Sequence, residues 1–97
     1  MTAPDTVVSG KPITVRFESD QRLSGRLRLT VGTESVVFTL VREGRDPVTS
    51  AGPRVRGKQG TLGIIDWGEY PAGTELVLRF EGAKAWMRVV DEVEEPA

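Results

Sequence analysis

Ninety-seven residues fit a single domain, and a chain of this size buries roughly two-thirds of its unfolded surface, enough for one hydrophobic core. Thirteen basic against fourteen acidic residues leave a net charge of −1, so wholesale attraction to nucleic acid or to an anionic membrane is not indicated. Neither cysteine nor histidine occurs, which excludes a disulfide framework, a thiol nucleophile and a Cys/His metal site, and removes the usual general base.

The opening Met1-Thr-Ala-Pro-Asp has neither a basic n-region nor an apolar h-region, and no apolar run approaches a membrane span. The expected location is therefore cytoplasmic or within a virion, with no secretory signal and no membrane partner. Residues 1–11 read as a polar N-terminal arm in which Val7 and Val8 pair briefly with a sheet edge. The body of the domain is expected over 12–91, with 92–97 as an acidic tail.

Strict alternation over 13–17 puts Ile13, Val15 and Phe17 on one side and Thr14 and Arg16 on the other, the period of a half-buried strand. Ser19-Asp20-Gln21-Arg22 reads as a polar turn. Alternation resumes over 23–31 as one strand, with Leu23, Gly25, Leu27, Leu29 and Val31 inward; Gly25 suggests a bulge or a close backbone approach. After a hairpin turn at Gly32-Thr33-Glu34, residues 35–41 are apolar on both faces, which fits a central strand.

Residues 42–47 form a turn. Residues 48–60 are the least regular part, broken by Gly52-Pro53, Gly57 and Gly60, with room for one or two short edge strands. Strand character returns over 61–65. A corner with two aromatics then leads into a cleanly alternating strand, with Leu76, Leu78 and Phe80 on one side. Gly82-Ala83 turns into a final strand ending at Val90. No helical periodicity runs for two clean turns, so six or seven short strands predict an all-β fold, a small antiparallel sandwich or barrel, the sandwich favoured.

Two motifs at the corner sharpen this. Asp66-Trp67-Gly68-Glu69-Tyr70 resembles the Asp-x-Gly-x-Tyr of immunoglobulin domains. Pro71-Ala72-Gly73-Thr74 is similar to the turn that enters the sixth strand of fibronectin type III domains. The resemblance implies an immunoglobulin-like sandwich and brings no functional residues with it.

Four stretches are candidates for function. Gly57-Lys58-Gln59-Gly60-Thr61 has glycines and a lysine but lacks the Gly-Lys-Ser/Thr ending of a phosphate loop, so it reads as a flexible hairpin loop. Arg42, Arg45, Arg54, Arg56 and Lys58 face only Glu43 and Asp46 between residues 42 and 60; an acidic protein surface suits these forks better than nucleic acid, because no aromatic interleaves. Asp91, Glu92, Glu94 and Glu95 supply a matching acidic run, so the tail of one copy is expected to pair with the basic segment of a neighbour. Trp67, Tyr70 and Trp86 are either core aromatics or a platform for sugar rings. Asp66 and Glu69 as a catalytic acid and base would need a cleft that a sandwich this small rarely offers.

The expectation is a protein that is not an enzyme, takes no cofactor or metal, and works as a structural or assembly component through contacts with other protein subunits in a symmetric assembly. In size, signal-less start, lack of cysteine and charged termini it resembles small accessory proteins of tailed phages, which decorate capsids or form minor tail and baseplate parts. A carbohydrate- or cell-surface-binding module is the alternative, with a glycan partner, and a small nucleic-acid-binding β domain the third.

Overall fold

The alternating segments become strands that bury one side each, as a computed structural model describing residues 1–91 shows. Among the described residues there are nine strands and no helix: β1 (Thr6–Val8), β2 (Ile13–Arg26), β3 (Arg28–Val31), β4 (Glu34–Val36), β5 (Phe38–Val41), β6 (Val48–Ser50), β7 (Arg54–Ile65), β8 (Glu75–Phe80) and β9 (Ala83–Val90). They form a five-stranded sheet in the order β1-β9-β8-β3-β4 and a four-stranded sheet in the order β2-β7-β5-β6. The two are packed sheets and not a closed barrel.

The core lies between them. Ile13, Val15, Phe17, Phe38, Leu40, Val55, Leu62 and Ile64 come from the four-stranded sheet, and Leu29, Leu76, Leu78, Phe80, Met87 and Val89 from the other, all buried. Phe17 on β2 meets Phe80 on β8 edge to face, centroids 5.4 Å apart, which fixes one sheet against the other.

The count exceeds the six or seven expected because the arm supplies β1 and the expected strand 35–41 divides between the sheets; the expected strand 23–31 divides as well, its first part joining 13–17 in β2. The chain leaves β2 at Arg26 and enters β3 at Arg28, and Leu27 between them donates its backbone N–H to the Pro53 carbonyl at 2.9 Å. It crosses back at Val37, between β4 and β5. At each crossing the in-out alternation continues unbroken, because the inner faces of both sheets look into the same core. The fold is also not wholly antiparallel. The arm's Val7 and Val8 do pair with a sheet edge, but β1 runs parallel to β9, with Val7 opposite Val89. Farther back, Thr2 bridges Arg16 on β2, so the arm spans from one sheet to the other.

Three turn assignments change. Residues 19–22 do not reverse the chain; they bulge from β2, four residues facing the single Lys58, as the pairing shifts from Glu18–Gln59 to Leu23–Gly57. Residues 57–60 are not a hairpin loop but lie inside β7, paired along β2. The two glycines serve different ends: Gly57 takes a φ of 136°, and a Cβ on Gly60 would stand 2.9 Å from the Phe17 ring. The last hairpin turns on Glu81-Gly82, one residue earlier than expected, both with positive φ (48° and 83°), the geometry that suits the twist of a two-residue hairpin.

The β7–β8 corner is held by Trp67. Its side chain is 1 % exposed, and its indole N–H donates to the Lys11 carbonyl at 2.8 Å. Tyr70 stacks on it with centroids 6.0 Å apart, and the Tyr70 backbone N–H donates to the Ser9 hydroxyl at 2.8 Å.

Truncating Trp67 to alanine should lower unfolding stability by about 3–5 kcal/mol in denaturant titration, whereas the same change at exposed Trp86 should stay within about 0.5 kcal/mol. Gly60→Ala should cost about 1–3 kcal/mol through overpacking against Phe17, and Phe17→Leu in the same chain should recover part of it.

Candidate functional site

Beyond Val41 the ladder between β5 and β7 stops. The two strands pair at Thr39–Ile65, Leu40–Ile64 and Val41–Gly63, after which the chain turns at residues 42–45, with the Arg45 N–H on the Arg42 carbonyl at 3.3 Å, and returns as β6 on the far side of β5. β7 continues without that neighbour. From Arg54 to Leu62 it is paired on its β2 side and, among the described residues, has no strand on the other. An open groove of about 530 Å³ lies along this flank, lined by Arg42, Glu43, Arg45 and Arg56 with Gln59 and Thr61.

Three arginines against one carboxylate make the groove cationic. Burial first, and the nearby Arg45 charge second, push Arg42 below the usual arginine range. It remains charged at neutral pH, so an approaching anion would relieve a repulsion already present. A paired strand's residues point their N–H and C=O groups alternately to either side, so every second residue of β7 here turns toward the groove a backbone donor and acceptor that no strand pairs among the described residues. The arrangement can hold an extended, acidic chain.

The basic residues singled out in the sequence therefore divide. Arg42, Arg45 and Arg56 meet at the groove. Arg54 begins the open segment of β7, two residues before Arg56, but does not line the groove; it stands opposite Arg26, whose Nη1 donates to the Gly52 carbonyl at 2.9 Å. Lys58 sits at the bulge and does not line the groove. Of the acidic run, Asp91 is exposed, while Glu92, Glu94 and Glu95 lie outside the described residues.

The three aromatics do not share a surface. Trp67 is core, Tyr70 is half-buried against it, and Trp86 stands 62 % exposed on the outer face of the five-stranded sheet. Asp66 and Glu69 also part company: Asp66 Oδ2 accepts from the Thr39 hydroxyl at 3.5 Å, and Glu69 lies over Gly10.

Sequence reading missed a second basic feature. Arg28, Arg79 and Lys84 are directly opposed on β3, β8 and β9, forming a row across the outer face that carries Trp86. They are 56 positions apart along the chain from first to last, and the only signal for them was the outward side of each alternating strand. Compared with protein-family models, with curated proteins and with solved structures, the chain has no match. What its own geometry defines is a small all-β protein of two packed sheets with an open basic strand flank.

Amide exchange should report that flank. Within residues 55–62, on either side of the Gly57 irregularity, slow and fast amides should alternate, the slow ones bonded to β2. Uniform protection along the segment would mean the flank is covered.

Proposed function

We propose that the protein is a non-enzymatic assembly module that joins other protein subunits by accepting an extended acidic segment beside β7. The observation that carries this reading is the coincidence of an unpaired strand flank with Arg42, Arg45 and Arg56 on the same groove. Addition of a strand to an exposed flank supplies main-chain hydrogen bonds, and side chains at the groove choose the partner. The occupant is the run Asp91, Glu92, Glu94, Glu95 of a second copy, complementary in charge to the three arginines.

Magnitudes decide how the contact must work. Exposed ion pairs contribute about 0.2–1 kcal/mol each, too little alone for a stable assembly. Several backbone hydrogen bonds, at about 0.5–1.5 kcal/mol net each, supply the rest. Contact of one copy's end with another copy's groove is head-to-tail, which closes into a ring or continues as a filament.

We read the sandwich as immunoglobulin-like, which suits the same role. The neighbour orders β2-β7-β5 and β9-β8-β3-β4, with Tyr70 ahead of the strand that begins at Glu75, support that reading. Such modules act through their edges and ends, and a component of a tailed-phage virion, whether capsid decoration or minor tail part, is the setting that the sequence resemblance suggests.

The full chain should show a concentration-dependent mass above the 10.6 kDa of one copy. Deleting residues 92–97, or reversing the groove with Arg42→Glu, Arg45→Glu and Arg56→Glu, should return it to monomer. A peptide of residues 90–97 should bind the deleted form and slow the fast β7 amides. A mass unchanged by the deletion would remove the tail as occupant.

A further inference from the structure

The outer face of the five-stranded sheet carries a different recognition surface. Directly opposite like charges on neighbouring strands destabilise a sheet, because their Cβ atoms stand only about 4.5–5.5 Å apart. Here three fall in one row: Arg28 pairs with Arg79, and Arg79 with Lys84. No carboxylate stands among these three registered positions. One step along β9 on the same face is Trp86, registered with Val77 and, beyond it, Thr30. A further step brings Arg88, which faces Glu75 on one side and Thr6 on the other.

The ring itself is the second observation. Trp86 is the most exposed large hydrophobic side chain described, at 62 %, whereas Trp67, the other tryptophan, is 1 % exposed. Its registered neighbours Val77 and Thr30 are half-buried, and it borders an open pocket of about 300 Å³ shared with Asp5, Thr6, Glu75 and Arg88, which leaves room for a planar group beside the indole. Successive side chains on one strand face are separated by about 6.8 Å, so cations at Lys84 and Arg88 bracket the ring at the distance of one side-chain step.

We propose that this face binds single-stranded nucleic acid, with an unpaired base stacked on Trp86 and the backbone phosphates held by the Arg28–Arg79–Lys84 row. Arginine and lysine in a row satisfy successive phosphates, and an aromatic platform selects a strand whose bases are free. A duplex has no unpaired base to offer the ring, and an acidic peptide would use the cations but not the indole. The row also explains why the repulsion between registered cations is tolerated, since phosphates neutralise it on binding. This surface belongs to the other sheet from the β7 groove, and it does not depend on the assembly reading.

The test is tryptophan fluorescence of the full chain titrated with a dodecamer of thymidylate, a duplex of equal length, heparin and polyglutamate. The single strand should quench the exposed indole. Its affinity should fall with salt at a log–log slope of about −2, as three phosphate contacts on a single strand require. Read by the anisotropy of an end-labelled thymidylate dodecamer, since this variant lacks the reporting ring, Trp86→Ala should weaken binding roughly ten- to a hundredfold, and Arg79→Ala should reduce the salt slope by about 0.7. Absence of binding at low salt overturns the proposal. So does duplex or heparin binding as tightly as the single strand with no loss in Trp86→Ala, which would show adsorption of any polyanion.

Discussion

The buried indole of Trp67 is the contact on which the arrangement of the ends depends. It sits where the chain passes from one sheet to the other, and its N–H reaches the Lys11 carbonyl fifty-six residues back. A ring of that size buried without a partner for its N–H would forfeit part of what its burial contributes. Among the described residues every buried side-chain nitrogen and oxygen finds a partner. The bond therefore serves two purposes, completing the core and tying the N-terminal arm to the β7–β8 corner. Tyr70 repeats the tie through Ser9. With the arm held there, Thr6–Val8 lies along β9 and Thr2 reaches β2, so both sheets are bound at that rim by a single segment.

The opposite rim is built differently. There the chain itself changes sheets at Val37, from the edge strand β4 to β5, and the short hairpin β3–β4, entered from β2 through Leu27, belongs to one sheet while its flanking strands belong to the other. The early turn after Val41 follows from the same economy of length: β5 has only four residues, while β7 has twelve. The longer strand outruns the shorter, and the basic groove is what remains beside it. Stability thus arises from a core closed by Trp67 and by the Phe17–Phe80 contact, and the exposed chemistry sits where strands of unequal length fail to cover one another.

The two basic surfaces differ in what they can recognise. The groove offers main-chain groups and arginine forks but no free aromatic ring, which suits an extended acidic polypeptide. The outer face offers a ring and a row of cations on a paired, hydrogen-bonded sheet whose main chain is already satisfied, which suits bases and phosphates. Net charge near zero hides both, because acidic residues elsewhere balance them in the sum.

Composition and period-two patterning determined, without any structure, that the protein is all-β, which side of each cleanly alternating strand faces the core, and that the corner before Glu75 is a turn rich in aromatics. Leu76, Leu78 and Phe80 or Ile13, Val15 and Phe17 could be read inward from alternation alone, since a strand's side chains have only two directions to take. The same rule left the sheet assignment open. Leu27 and Leu29 point inward whether or not the chain changes sheets between them, so the crossings, the nine strands and the parallel pairing of β1 with β9 waited on the tertiary structure. Register was equally hidden: that Gly60 lies under Phe17, that β7 outruns β5, and that Arg28, Arg79 and Lys84 stand in one row are facts about which strands lie side by side. Hydrophobic period is written within each strand, whereas neighbours are chosen by packing between segments far apart in the chain, and only that packing brings the charges together.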